Sequence, residues 1–302
     1  VERCRGATAT ADDAAFRVCN LVAQVAVAAQ APIGLSASGG NPVPGTASTL
    51  GMRLGTLPRF SVNARVTGVW TEIPDITDFN RSDEDIGIFL PSLNIDASFG
   101  LFSGLSLAPT VGGFGSVDLL ASMGVIPLPT GDGFDDDSPF SWALGARVGI
   151  LRESFTLPGI SVSLMYRRLG DLDYGDPQLV DDDAFFDADL SIWSLRGAVS
   201  KRIAFLGATA GIGYDHYSSD LRYGFVNPAS TGPSTFVLTD SDFENDRYSF
   251  FVNLSYTLLI LHGVLELGWQ QAGEEIRAPL PAGTRFDPDG SFFGSLAIRL
   301  SI

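Results

Sequence analysis

The chain has 302 residues, 35 acidic against 19 basic side chains, a formal net charge of −16 and a mean hydropathy of +0.20. That acidity argues against a nucleic-acid partner, whose phosphates it would repel. No run approaches the roughly 20 apolar residues of a spanning helix, so a chain this apolar must place its greasy surface on some other architecture.

Residues 1–31 read as an N-terminal helical segment, acting as a plug or lying in the periplasm. Thr10 is a plausible N-cap for a helix over 11–30, with Asp12 and Asp13 in the first turn, where the helix dipole favours negative charge. Phe16, Cys19, Val22, Val25 and Val27 leave most of its circumference apolar, so it must bury itself. Cys4 and Cys19 are an even pair expected to close one disulfide in an oxidising compartment. Val1 follows no Met or basic lead-in, which reads as a processed chain. The apolar stretch Val25–Ala31 is preceded by two aspartates, against a signal-peptide reading. Gly40-Asn-Pro-Val-Pro-Gly45-Thr-Ala47 has the glycines of a phosphate loop but no Lys to grip a phosphate.

From Pro32 to Ile302 the pattern predicts strands, at 32–39, 46–55, 59–73, 91–102, 113–128, 138–152, 159–171, 186–201, 203–222, 245–259, 263–275 and 290–302. That is an all-β chain of about 12 antiparallel strands, with 10–14 as the range. The first two strands are the least regular; without them residues 1–57 become a plug. In the last strand Phe292, Leu296, Ile298, Leu300 and Ile302 share one face, and Phe293, Ser295, Ala297, Arg299 and Ser301 the other. Strand 186–201 breaks phase, since Leu190 and Ile192 oppose Trp193, Leu195 and Val199; a β-bulge near Ile192 is the expected remedy. Short connections alternate with long ones, as periplasmic turns alternate with extracellular loops in membrane barrels.

On the apolar faces, Trp70, Trp142, Tyr248 and Trp269 fall near the loop ends of their strands, and Phe60, Phe99 and Tyr256 near the turn ends. Two such rows suit the two interfaces of a bilayer. The opposite faces carry Arg65, Asp96, Asp118, Arg147, Arg167, Arg196, Glu266 and Arg299, five arginines against three acids, as lumen-lining candidates. They form a selective constriction or a packed network that conducts nothing. The long loops hold acidic runs. Asp132, Asp135, Asp136 and Asp137 offer hard oxygen ligands for Ca²⁺, but no EF-hand spacing is present, and a solvated, repulsive surface is the preferred reading. No metal or cofactor is implied. His262 falls in a turn and is expected to be solvated; His216 has no matching serine motif, so the chain is not read as an enzyme.

By its terminal strand, its alternating ribbons and its loop rhythm, the region 32–302 resembles bacterial outer-membrane β-barrel proteins; the final Ile302 departs from their usual Phe or Trp. The N-terminal helix resembles that of plugged barrels transporting hydrophobic compounds, with no motif carried over. The resemblance implies an outer-membrane location, with membrane lipids, lipopolysaccharide and another envelope protein as partners. Three functions follow as expectations: a porin-like channel or small-solute transporter; a scaffold with a sealed lumen that binds a partner complex; and a lipid hydrolase on the barrel wall using His216.

Overall fold

The computed structural model describes residues 4, 13–51, 59–74, 85–106, 112–128, 138–170, 172–176, 178, 184–226, 235–272 and 290–301. One helix, α1 (Asp13–Ser38), precedes eleven strands. These are β1 (Phe60–Pro74), β2 (Asp85–Phe102), β3 (Ser116–Val125), β4 (Phe140–Leu151), β5 (Gly159–Leu169), β6 (Leu172–Tyr174), β7 (Ala184–Ile203), β8 (Leu206–Val226), β9 (Thr235–Leu258), β10 (Leu261–Gln270) and β11 (Ser291–Ser301). Neighbours pair antiparallel in the order β5-β4-β3-β2-β1-β11-β10-β9-β8-β7, and a β5–β7 ladder closes the ring. The result is a ten-stranded antiparallel transmembrane-type barrel; β6 pairs with β7 alone, beyond the end of β5.

The two strands expected at 32–39 and 46–55 do not form. Residues 32–38 continue α1 past the expected boundary at 31, and 39–51 run as irregular chain; 52–58 lie outside the described residues, as does Thr10. The physical reason is that a closed ring offers no free sheet edge inside it. A segment in the lumen must satisfy its backbone within itself, as a helix does, or from side chains. Between β2 and β3 a single isolated bridge, Leu105 to Phe114, is present among the described residues. The connection expected over 223–244 is shorter than it looked: β8 and β9 stay paired out to Val226 and Thr235, so the acidic stretch 240–246 is strand.

The bulge expected near Ile192 is also absent. β7 keeps unbroken register with both β5 and β8 through this point. Ile192 points inward and Trp193 outward without interruption. The apparent phase break arose from assuming a polar lumen throughout, whereas at this level the lumen is apolar because it houses α1.

The outer wall is an apolar band between two aromatic rows. In one, Phe89, Trp70, Phe292, Trp269 and Phe250 lie directly opposite one another across β2, β1, β11, β10 and β9. Tyr166 lies 5.0 Å from Trp193 and 6.0 Å from Trp142, carrying the row across β4, β5 and β7. Tyr248 packs against Tyr214 with ring centroids 5.3 Å apart and planes tilted by 50°. In the other row Phe60 faces Phe99, and Phe205 packs 5.3 Å from Tyr256. Trp70 and Phe60 are ten residues apart on one strand. At about 3.3 Å per residue and a tilt of about 40°, that spans about 25 Å, the height of an outer-membrane hydrophobic band.

α1 fits the lumen because it is built from small residues. A Cβ at Gly34 would lie 2.5 Å from the Tyr217 ring and 2.6 Å from Ile192, so the helix meets the wall most closely there. It ends at Gly39, whose φ of 60° permits a left-handed cap in which its N–H donates to the Leu35 carbonyl at 2.8 Å. Substituting Gly34→Leu is expected to overpack this contact and lower stability by about 1–3 kcal/mol, read as a lower denaturant midpoint of the folded protein in detergent.

Candidate functional site

The lumen has two compartments stacked along its axis. The one toward the long loops is apolar. Ala15, Cys19, Val22, Ala26, Ala29 and Ile33 of α1 share a buried cluster with wall residues including Val69, Leu90, Leu190, Ile192, Tyr217, Leu221, Phe251 and Phe293. Cys4 and Cys19 form a disulfide, and the Tyr223 hydroxyl lies 3.4 and 3.6 Å from the two sulfurs. Lower down, Gln30 donates to Ser219, and Ser92 donates to the Ser36 carbonyl at 2.6 Å.

The second compartment, toward the short turns, is polar and contains 39–51. This chain has no ladder partner, so side chains of the wall take up its peptide groups. Glu266 accepts from the N–H groups of Gly40 (3.0 Å) and Asn41 (2.9 Å), from Asn253 (2.6 Å) and from Ser295 (3.3 Å). Asn253 accepts from the Gly45 N–H at 3.0 Å and from the Asn41 amide at 3.1 Å. Asp118 accepts from the N–H groups of Leu50 and Gly51. The carbonyls go to cations: Arg65 reaches Asn41, Arg196 reaches Gly39 and Gly40, Arg147 reaches Thr46, and Arg299 reaches Pro44. A single chain segment is thus bound by seven strands. It also crosses the lumen lengthwise. The disulfide end sits by Tyr223 near the long loops, while Ser48 accepts from the Glu153 N–H in a short turn.

The eight charged residues singled out from the alternation all sit inside the barrel, but none lines open water. Arg65, Asp96, Asp118, Arg147, Arg167, Arg196, Glu266 and Arg299 are each no more than 4 % exposed. Five of them take part in three buried ion pairs: Arg147–Asp118 at 2.7 Å, Arg65–Asp96 at 3.5 Å, and Arg196 with Asp215 at 2.8 Å. Arg167 is held by the hydroxyls of Ser141 and Ser122, both at 3.1 Å. Asp215, which also accepts from Ser194 and Gln270, was not singled out. Its place between Gly213 and Tyr217 on the inner face of β8 was the available signal.

Other expectations resolve differently. His262 is not solvated: its side chain points into the lumen beside Thr257, 2.9 Å away, because β10 begins before it and sets it on the inner face. His216 lies on the outer face, its Nδ1 2.7 Å from Asp246, which also accepts from Tyr214 at 2.8 Å. Among the described residues no serine is hydrogen-bonded to His216. The Ca²⁺ candidates Asp132, Asp135, Asp136 and Asp137 lie outside the described residues. The belt residues Trp70, Trp142, Tyr248, Trp269, Phe60, Phe99 and Tyr256 all lie on the outer wall.

No protein-family model and no curated protein matches the chain. Solved structures similar to it are outer-membrane barrels. The translocator domain of the autotransporter NalP from Neisseria meningitidis is 9% identical, covering 93% of this chain and 96% of that one, with a TM-score of 0.44. The transport unit of the autotransporter AIDA-I from Escherichia coli is 6% identical, covering 92% and 99%, at 0.40. The toluene transporter TodX from Pseudomonas putida is 8% identical, covering 86% and 96%, at 0.33. At these levels the likeness extends no further than barrel architecture.

Glu266 accepts from four donors in the polar compartment. Replacing it with Ala leaves two peptide N–H groups of the lumen segment and the Asn253 amide without their acceptor. We expect a loss of about 3 kcal/mol or more, together with transient conductance in planar bilayers from a loosened segment.

Proposed function

We propose that this protein is a bacterial outer-membrane barrel with a sealed lumen, a membrane anchor that holds its own N-terminal segment at the external face. The observation that carries this reading is the burial of the eight inward charges. Side chains lining a water-filled channel would be wetted, whereas these are spent on the peptide groups of 39–51 and on one another. The direction of threading supports display outward: α1 begins by the long-loop end, and the chain reaches the short turns only after crossing the lumen. A partner envelope protein would engage the protein at the long-loop mouth, where the disulfide-closed start of the chain and the β8–β9 extension lie together. Lipid acyl chains would contact the apolar band, and lipopolysaccharide the aromatic row nearer the long loops. The reading includes no catalytic step and no cofactor.

A channel or small-solute transporter, with the N-terminal residues as its gate, is the second reading. It is favoured by one feature: residues 39–51 form no strand with the wall and are held by side chains, so their release would break no sheet.

Planar-bilayer recording separates the two. The intact chain is expected to be silent, and removal of residues 1–51 is expected to give steady conductance; steady conductance of the intact chain would refute the seal. An epitope placed ahead of Cys4 should be reached by antibody on whole cells without permeabilisation, and labelling only after permeabilisation would reverse the threading. The membrane assignment is checked on the wall itself. Leu265→Arg, an outward position paired with Leu254 and Leu296, should weaken insertion into lipid vesicles by about 2–4 kcal/mol.

A further inference from the structure

Of the five inward arginines first singled out, Arg299 alone has neither a carboxylate partner nor a full set of neutral ones. Its guanidinium is 4 % exposed, donates to the Pro44 carbonyl, and leaves Nε without a hydrogen-bond partner. No ion pair to it exists among the described residues. A buried cation of this kind is costly unless a counter-charge reaches it.

Arg299 borders a small polar cleft of about 10 Å³, room for one particle the size of a water, at the short-turn mouth, where Arg202, Lys201, His262, Thr257 and Ser200 also face, with Gly45 and Thr46 of the lumen segment forming its inner side. The one carboxylate there, Glu153, accepts from the Arg202 N–H and from Ser200 Oγ. Lys201 is occupied by the carbonyls of Ser154, Phe155 and Leu157. With three cations against one anion, the cleft is positive inside a protein whose net charge is −16.

We propose that this cleft binds a single chloride ion, which neutralises Arg299 and fastens the lumen segment at Pro44–Thr46 to the wall. Arg299 and Arg202 supply the charge. An anion here would bridge the irregular chain and β11, acting where the carbonyl of Pro44 alone now holds it.

The test is thermal unfolding of the folded, intact protein in neutral detergent. Sodium gluconate, too large for the cleft, is exchanged for sodium chloride at constant ionic strength, so general screening does not change. The wild type should show a saturable rise of several degrees in its midpoint. Arg299→Met should lose that rise while remaining folded, and Arg202→Gln should need a higher chloride concentration for it. Arg168→Gln, at an exposed ion pair with Asp189, should respond as the wild type does. No rise with chloride, or the same rise in Arg299→Met, would overturn the proposal.

Discussion

Irregular backbone cannot lie inside a protein without hydrogen-bond partners, and most of the inner surface of this barrel follows from that constraint. Residues 39–51 contain two prolines, four glycines and three small hydroxyl residues, which disfavour regular structure, and the closed ring denies them a sheet edge. Their N–H groups therefore fall to Glu266, Asn253 and Asp118, and their carbonyls to Arg65, Arg147, Arg196 and Arg299. Charged side chains suit this task because a hydrogen bond to an ionised group is about twice as strong as a neutral one. A buried ion pair is by itself weak support for a fold. Here the pairs also orient each carboxylate and guanidinium toward peptide groups that nothing else could satisfy.

The two compartments are two solutions to the same problem. A helix satisfies its own backbone, so the wall around α1 needs only to bury apolar surface, and it presents Leu190, Ile192, Tyr217 and Phe251. Below Gly39 the helix stops, and the wall changes from apolar to ionic at the same height. Gly34, pressed against Tyr217, and Gly39, whose Cβ would lie 2.6 Å from Arg65, are two of the places where the fit leaves no room for a side chain.

Alternation alone made the barrel legible. β11 reads as a membrane ribbon from its own residues, and the Trp70 and Phe60 rows follow from the same period. What it could not show was the content of the lumen. Pro32 and Gly34 read as helix-breaking, yet the helix runs through them because tertiary packing outweighs intrinsic propensity. The inward Leu190 and Ile192 looked like an error of phase because nothing local says that a helix lies against them. The Gly40–Ala47 stretch, which has the glycines of a phosphate loop without its lysine, has those glycines for close passage by Phe251, Ser255 and Val264. Asp215 went unnoticed because its partner, Arg196, lies on another strand.

Threading constrains how such a structure can assemble. The lumen segment leads into β1 at the short-turn end, and its contacts reach β1, β3, β4, β7, β9, β10 and β11. None of those bonds can form fully until the wall curves round the segment. Conversely, the wall cannot close at β1–β11 or β5–β7 over unpaired buried charges without a large cost. Barrel closure and seating of the segment are therefore coupled, each supplying what the other lacks.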